Sequence, residues 1–597
     1  MKRPHEKPPQ DLTPGVNAVL HCDATRPPQR RSPPRPVTMP LARRLTLVAA
    51  ACAALPALLP AQQFDIMEAT IPGIHAAMDA RRLTCRALVQ AYLDRIGAYD
   101  KQGPALNSVQ HVNARALTEA DSLDAVLRAK GPRGKLHCVP VLLKDQIETI
   151  DMPTTYCSAI YANFTPKRDA TAVKRLEAAG AIIIAKTTMG EFAGRYVGSA
   201  AGIIRNAYDP TRNPSGSSGG SASAVAANFG LVGIGEDTGG SIRGPAAVSS
   251  LVGLRPTLQL VSRFGMLPAN PTQDTMGPMT RTVADAARVL DVIAGYDADD
   301  PITAYAVGHV PASYTSSLKT DALSGARIGV VRFPFDTTSR RRARGDSAVA
   351  RRDTTAAARA SAARDSVARV DSAAKRDSTN RVVLAEYAKV RVVFDSAVAT
   401  LRARGAVVID SLQLPINRDA VSNDFETEQA TNTYFAEHPN APVKTLAEIL
   451  LAGTVNPWRA RAMVTYLGKT TSDPGYLQVL KQREALRVQV LTMMAERQLD
   501  AIVYATYDAA PTVIAADVLT NPRTQDAYGR GDNRGLSPQI GFPALTVPMG
   551  FTSDALPVGL EFLGRPFAEA QLLGLGFSFE QATKHRRPPR TTPTLVH

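Results

Sequence analysis

Two glycine- and serine-rich stretches near the middle of the chain, GSSGG at 216–220 and DTGGSIR at 237–243, decide the fold and chemistry that the sequence predicts. Both are flanked directly by apolar residues in helix and strand patterns, which flexible linkers usually lack. Small residues let another backbone segment approach closely. The second stretch predicts a tight turn into a helix, whose unpaired N–H groups can hold an oxyanion that develops on a carbonyl.

A third stretch, VPVLLKD at 139–145, supplies a candidate base for a serine. Lys144 follows five almost uninterrupted apolar residues, so it is predicted to end a buried strand. Burial lowers a lysine pKa from about 10.4 towards neutrality, and a neutral amine can accept a hydroxyl proton. Asp145 is expected on the opposite face, because adjacent strand side chains alternate. A lysine that reaches out to water at a strand end is the alternative interpretation of Lys144 alone.

Together these stretches resemble the amidase signature family. The resemblance covers residues 70–335 and 382–580 and is densest from 212 to 257. The separation of Ser217 from Ser241 fits the family pattern, as does an apolar segment that ends in lysine. The resemblance implies an α/β fold, a single large domain with a mixed, twisted β-sheet core covered by helices on both faces.

The resemblance also implies the catalytic residues. Ser241 would be the nucleophile, Lys144 would start neutral and act as the base, and Ser217, entered through a cis peptide bond, would link the two. Four backbone N–H groups would form the oxyanion hole, those of Thr238, Gly239, Gly240 and Ser241.

Further residues of the motif surround this relay. Ser218, Asp237 and Arg243 match family positions that support the loop. Glu236 departs from the usual pattern and adds a carboxylate beside the nucleophile turn.

The implied reaction is hydrolysis of a carboxylic amide through an acyl-enzyme, with release of ammonia or an amine and without a metal or cofactor. Overall resemblance to bacterial peptide amidases implies a small-molecule or peptide amide substrate, such as a peptide C-terminal amide. The expected state is a monomer or homodimer.

The charge distribution argues against a nucleic-acid partner. The chain carries a net charge of +15, of which residues 1–61 hold +6 and residues 340–381 hold +7. The remainder is near neutral, so it offers no basic stripe of the kind that nucleic-acid binding needs.

The start of the chain predicts export to the periplasm or the outside of a bacterium. Within residues 39–61, Arg43 and Arg44 precede an apolar run over 45–59 and a small residue, Ala61, at a plausible cleavage point. That run is too short to span a bilayer, so no membrane span is expected after cleavage. Residues 1–38 are interpreted as an extension that results from too early an assigned start, with the true start at Met39, or as a disordered segment.

The amidase domain is predicted over residues 62–597, with one interruption. Residues 336–381 consist mainly of Ala, Arg, Asp and Ser and cannot bury enough apolar surface to fold on themselves. They are interpreted as a charged, low-complexity insertion between a strand at 328–331 and a helix from about 382 to 403.

Three cysteines remain after the predicted cleavage, Cys85, Cys138 and Cys157. An odd count without CxxC spacing predicts neither a disulfide framework nor a zinc site. At most one bridge is expected.

Three alternatives stay open at this point. The stretch at 216–220 also matches the G-x-S-x-G elbow of α/β-hydrolases, with Ser218 as an esterase nucleophile, although no apolar strand runs into Gly216. Within the family, the A subunit of a tRNA-dependent amidotransferase would work with partner subunits and tRNA. A catalytically inactive binding protein is disfavoured because Lys144, Ser217 and Ser241 are all present.

Overall fold

A mixed β-sheet of eleven strands runs through the protein. The computed structural model describes residues 64–333, 335, 382–414, 423–524 and 533–595. Three segments singled out from the sequence lie outside the described residues, namely 1–38, 39–61 and 336–381.

The sheet combines parallel and antiparallel neighbours. The described strands are β1 Val109–Val112, β2 Pro140–Lys144, β3 Ile182–Thr187, β4 Val197–Gly198, β5 Gly202–Ile203, β6 Val232–Asp237, β7 Val252–Arg255, β8 Thr275–Thr280, β9 Arg327–Val330, β10 Val407–Asp410, β11 Ala501–Ala505, β12 Ala544–Phe551 and β13 Pro557–Leu563. Their order in the sheet is β1-β3-β2-β6-β8-β7-β12-β13-β11-β9-β10, and β4 and β5 pair separately. β2 runs parallel to β3 and β6, whereas β6 runs antiparallel to β8.

Helices pack against this sheet, which confirms the predicted α/β class. The described α-helices are α1 Ile71–Asp79, α2 Cys85–Tyr99, α3 Ala116–Lys130, α4 Thr171–Ala178, α5 Gly219–Ala226, α6 Arg243–Ala247, α7 Val283–Ile293, α8 at 382–403, α9 Thr427–Ala436, α10 Leu446–Leu451, α11 Pro457–Val464, α12 Pro474–Glu496, α13 Leu536–Ile540 and α14 Glu569–Thr583. α5 packs on β2 and β6, and α14 packs on β12. None of the described helices has both the length and the apolar character needed to cross a membrane.

The two strands that carry the predicted site are buried along their whole length. Every residue of β2 is buried, from Pro140 to Lys144, as its apolar run predicts. β6 begins with apolar residues and continues through Glu236 and Asp237. Both of these acids are fully buried, and a hydrophobic pattern does not identify a strand position occupied by a charged residue.

One disulfide joins the start of α2 to the residues before β2. Cys85 and Cys138 are bonded, with 5.5 Å between their Cα atoms, a usual spacing for a disulfide. This agrees with the expected limit of one bridge. Cys157 is a free, buried thiol, and burial raises its pKa.

The first and last described segments of the domain contact each other. The guanidinium of Arg586 binds the Glu68 carboxylate through two hydrogen bonds of 2.9 Å. Arg95 on α2 donates to the carbonyl oxygen of Thr592 at 2.7 Å. These contacts fasten the segment after α14 to the segment around α1 and α2.

We expect the disulfide to contribute to stability. Replacing both Cys85 and Cys138 by serine removes a crosslink between residues 53 positions apart. The free energy of unfolding, measured by denaturant titration without reductant, should fall by about 2–4 kcal/mol. Reductant should lower the stability of the wild type to that of the variant and leave the variant unchanged. Equal stability of the two proteins without reductant would contradict the crosslink.

Candidate active site

Lys144 lies at the end of β2 in a fully buried polar pocket. Its Nζ is 2.7 Å from Ser217 Oγ, 2.7 Å from Glu236 Oε2 and 3.4 Å from the backbone oxygen of Glu236. Burial lowers the pKa of Lys144, and the neighbouring carboxylate of Glu236 opposes this shift. The alternative of a lysine that reaches out to water is therefore wrong.

The strand alternation around Lys144 follows the sequence prediction. Asp145 turns away from Lys144 and accepts hydrogen bonds from the backbone N–H groups of Thr155, at 3.1 Å, and Cys157, at 3.0 Å. The Lys144 amine therefore binds Ser217 and Glu236 rather than Asp145.

The stretch at 216–220 folds into a tight loop against its neighbours. The peptide bond between Gly216 and Ser217 is cis, as the resemblance implies. A Cβ at Gly216 would collide with the carbonyl of Arg195, so only glycine fits there. The backbone N–H of Ser218 donates to the carbonyl oxygen of Ser241 at 3.3 Å, which brings the two serine-rich stretches into direct contact.

The turn that carries Ser241 is organised by Asp237. Its carboxylate accepts the backbone N–H of Gly240 at 2.7 Å and that of Ile242 at 3.1 Å. Ser241 is half-buried between them. Because the Gly240 N–H is already bound to Asp237, the remaining oxyanion-hole candidates are Thr238, Gly239 and Ser241.

Asp237 is itself held by two buried arginines. Arg243 Nε lies 3.2 Å from Asp237 Oδ2, and Arg255 Nη1 lies 3.3 Å from Oδ1. Burial alone would raise the pKa of Asp237, but the two guanidinium groups hold it well below its usual range. Arg243 also binds Glu561 on β13, so this network ties the turn to the middle of the sheet.

Ser218 has a different role from the one that an α/β-hydrolase elbow requires. Its hydroxyl is fully buried, donates to the carbonyl oxygen of Glu236 at 3.1 Å and accepts from the Glu236 N–H at 3.3 Å. No strand leads into it, since residues 213–218 have no regular secondary structure. Ser218 therefore joins the loop to β6, as the supporting role implies.

The sequence interpretation gave no role to three charged groups of the site. The sequence pattern marks Glu236 as unusual but does not connect it to Lys144, and it does not indicate Arg255 or Glu561. A signal for them existed, because each is a charged residue within or at the end of an apolar strand, β6, β7 and β13 respectively. Buried charges of this kind need partners of opposite charge.

A cavity of about 250 Å³ opens beside the loop that carries Ser217. Its lining includes Arg195, Asn213, Ser215, Gly216, Tyr507 and Arg534. Arg534 also packs against Gly240, so the cavity adjoins both serine-rich stretches. Among the residues that the structure describes, no cluster of His, Cys, Asp and Glu could hold a metal ion.

Comparison with known proteins decides the family. The family model described as Amidase matches residues 87–372 and 373–573. The chain belongs to the amidase family. A probable amidase of Arabidopsis thaliana is 31% identical over 557 residues, which cover 88% of this chain and 92% of the plant protein. The A subunit of the glutamyl-tRNA(Gln) amidotransferase of Chloroflexus aurantiacus is also 31% identical, over 88% of this chain and 99% of its own.

Solved structures agree with this assignment. The native peptide amidase of Stenotrophomonas maltophilia is 33% identical to this amidase, with a TM-score of 0.71, over 88% of this chain and 99% of its own. The peptide amidase PAM in complex with the competitive inhibitor chymostatin gives a TM-score of 0.73 at 33% identity, over 88% and 100% of the respective chains. This amidase is thus an enzyme that hydrolyses amide bonds, on the amidase signature fold.

We expect the Asp237 network to be essential for both stability and activity of this amidase. Asp237→Asn leaves the buried Arg255 without a carboxylate partner and Arg243 with Glu561 alone, which should reduce the free energy of unfolding by about 3–5 kcal/mol. Asp121→Asn is the matched control, since Asp121 pairs with Arg86 where both side chains are about half exposed, 53% and 51%. It should cost less than about 1 kcal/mol. Equal costs in denaturant titrations would contradict the role of Asp237.

Proposed function

We propose that this amidase works through a relay in which Ser241 attacks the amide carbonyl and Lys144 accepts its proton through Ser217. The observation that carries the proposal is the 2.7 Å contact between Lys144 Nζ and Ser217 Oγ in a fully buried pocket. A buried amine has a lowered pKa and can serve as a general base near neutrality.

The first half of the reaction forms an acyl-enzyme. As the bond between Ser241 Oγ and the carbonyl carbon forms, the Ser241 proton passes to Ser217, and the Ser217 proton passes to the Lys144 amine. The negative charge on the carbonyl oxygen is held by N–H groups of Thr238, Gly239 and Ser241. The carbon–nitrogen bond then breaks, and the proton returns through Ser217 to the leaving amine.

In the second half of the reaction, water is the attacking group and Ser241 Oγ is the leaving group. Water attacks the acyl carbon, and its proton travels through Ser217 to Lys144. Breaking the ester bond returns that proton to Ser241 Oγ, so the carboxylic acid leaves and the relay is restored. Over the whole cycle the three relay residues regain their starting protonation, because the proton that the leaving amine gains is replaced by one from water.

Single substitutions test the relay. Lys144→Ala and Ser241→Ala should each lower the rate of amide hydrolysis by at least about 100-fold, because each removes a proton-transfer partner or the nucleophile. Far-ultraviolet circular dichroism should stay unchanged. Amide turnover by the purified variants is the measurement, and full activity of either folded variant would contradict the assignment.

Active-site labelling separates the two candidate nucleophiles. A fluorophosphonate should modify Ser241 in the wild type and in Ser218→Ala, and should modify nothing in Ser241→Ala. Mass spectrometry of the labelled peptides identifies the serine. A label on Ser218 would instead support the elbow of an α/β-hydrolase.

For the substrate we propose a peptide amide, in particular a C-terminal amide. The support is the similarity to the two peptide amidase structures over almost their whole length. A panel of peptide amides, aryl amides and esters, followed by release of ammonia or amine, distinguishes this substrate from other amides. Co-purification with partner subunits and tRNA would favour the amidotransferase alternative.

We further propose that the enzyme is exported. The signal-like composition of residues 39–61 supports this, and the bonded pair Cys85–Cys138 supports it independently, because disulfides persist mainly in oxidising compartments.

Expression of the chain from Met39 in a bacterial host tests export. The mature protein should appear in the periplasm or medium with a new N-terminus near Ala61, read by mass spectrometry of the terminal peptide. Replacing Arg43 and Arg44 by glutamate should reduce processing, since export signals need a basic start. An intact leader on cytoplasmic, active protein would contradict the proposal.

A further inference from the structure

The Lys144 amine faces three oxygen atoms, and two of them belong to Glu236. Nζ lies 2.7 Å from the carboxylate oxygen Oε2, 3.4 Å from the backbone oxygen of the same residue and 2.7 Å from Ser217 Oγ. Glu236 is fully buried and belongs to β6, the strand beside β2. The amine is therefore held by one residue on one side and by the relay serine on the other.

The numbers of hydrogen-bond donors and acceptors on the Lys144 amine define the direction of each of its contacts. A neutral amine has two N–H donors and one lone pair, whereas an ammonium has three donors and no lone pair. A backbone carbonyl and a carboxylate only accept. When the two N–H groups of the neutral amine point to the two Glu236 oxygens, its lone pair points to the Ser217 hydroxyl.

We propose that Glu236 is a positioning residue of the relay: it orients the Lys144 amine so that the lone pair faces Ser217, and its carboxylate balances the ammonium that forms when the proton arrives. This inference rests on the proposed Ser241–Ser217–Lys144 relay. The same three contacts serve both states of the lysine, because the ammonium uses its third N–H towards Ser217 Oγ. Proton uptake therefore requires no rearrangement of the heavy atoms.

Other charged groups near Lys144 are already matched or neutral. Asp237 is paired with Arg243 and Arg255. Asp274 is fully buried and accepts the backbone N–H groups of Ala269 and Asn270, and burial together with the nearby Glu236 raises its pKa, which favours its neutral form. The second carboxylate oxygen of Glu236 accepts the Thr238 hydroxyl at 2.6 Å, which fixes the rotamer. Glu236 is thus the anion that directly faces the amine.

Glu236 changes the pKa of Lys144 in a definite direction, and the pH dependence of activity should change with it. A carboxylate beside an ammonium stabilises the charged form and raises the lysine pKa, against the lowering effect of burial. Glu236→Gln removes the charge but keeps a side-chain oxygen that can accept a hydrogen bond. The amine then stays deprotonated to lower pH, so the acidic limb of the activity profile should move down by about 1–3 pH units.

The experiment compares wild type, Glu236→Gln and a matched control, Glu569→Gln. Glu569 is also a buried glutamate, but it accepts the backbone N–H of Thr257, away from the relay. The rate of Ser241 labelling by a fluorophosphonate is followed against pH, which needs no knowledge of the substrate. kcat and KM on an amide from the panel are measured in parallel.

The expected result is specific to a positioning role. Glu236→Gln should lower the pH of the acidic limb and reduce kcat at the alkaline plateau, with KM unchanged, because the carboxylate does not touch the substrate. The limb of Glu569→Gln should coincide with that of the wild type. The proposal would be overturned if a folded Glu236→Gln protein had the same acidic limb of its pH profile as the wild type. Glu236 would then form an ion pair with Lys144 that is only structural.

Two further outcomes are distinguishable. If Glu236→Gln does not fold, Glu236→Asp, whose carboxyl is one methylene shorter, should lower the plateau labelling rate about 10-fold or more, and a wild-type rate would overturn the proposal. If Ser241 in the wild type is not labelled and no amide is cleaved, the relay itself fails. Labelling of wild-type Ser241 with an unshifted Glu236→Gln profile refutes only the role of Glu236.

Discussion

The structure depends on one buried amine, that of Lys144, which faces the Ser217 hydroxyl and the carboxylate and backbone oxygens of Glu236. Removing an ammonium from water is costly unless charge and hydrogen bonds replace the solvent. Here Ser217 and Glu236 replace it, at 2.7 Å each. The two strands beside the amine are buried along their whole length and Lys144 itself has no exposed surface, so the amine does not contact bulk water directly.

Asp237 is a second buried charged group, but it is an acid whose charged partners are arginines. Successive side chains on a strand point to opposite faces, so Glu236 can face Lys144 while Asp237 faces the turn and its arginines. One strand end therefore supplies the partner of the Lys144 amine and the anchor of the turn that carries Ser241. The link from Arg243 to Glu561 extends this anchor to β13, four places from β6 in the sheet order. A turn tied so widely is pre-organised, which is what stabilisation of an oxyanion requires.

Much of this architecture could be predicted from the sequence. The apolar run before Lys144 identified β2, the strand predicted at 328–331 and the helix predicted at about 382–403 match β9 and α8 closely, and the serine-rich stretches identified the family. The extension of β6 through Glu236 and Asp237 could not be predicted, since acids do not look like strand residues until their partners are known. Those partners, Lys144 and Arg255, lie 92 and 18 positions away in the chain. Pairings at such a distance are set by the sheet order, which no local pattern contains.

The contact between the first and last described segments has a consequence for engineering. Arg586 and Glu68 bind each other, and Arg95 binds the backbone oxygen of Thr592, so the first and last described segments lie side by side. Domains with adjacent ends tolerate circular permutation, in which a short peptide joins the old ends and new ends are opened elsewhere. New ends opened in a surface loop away from β2 and β6 would leave both strand ends in an uninterrupted chain.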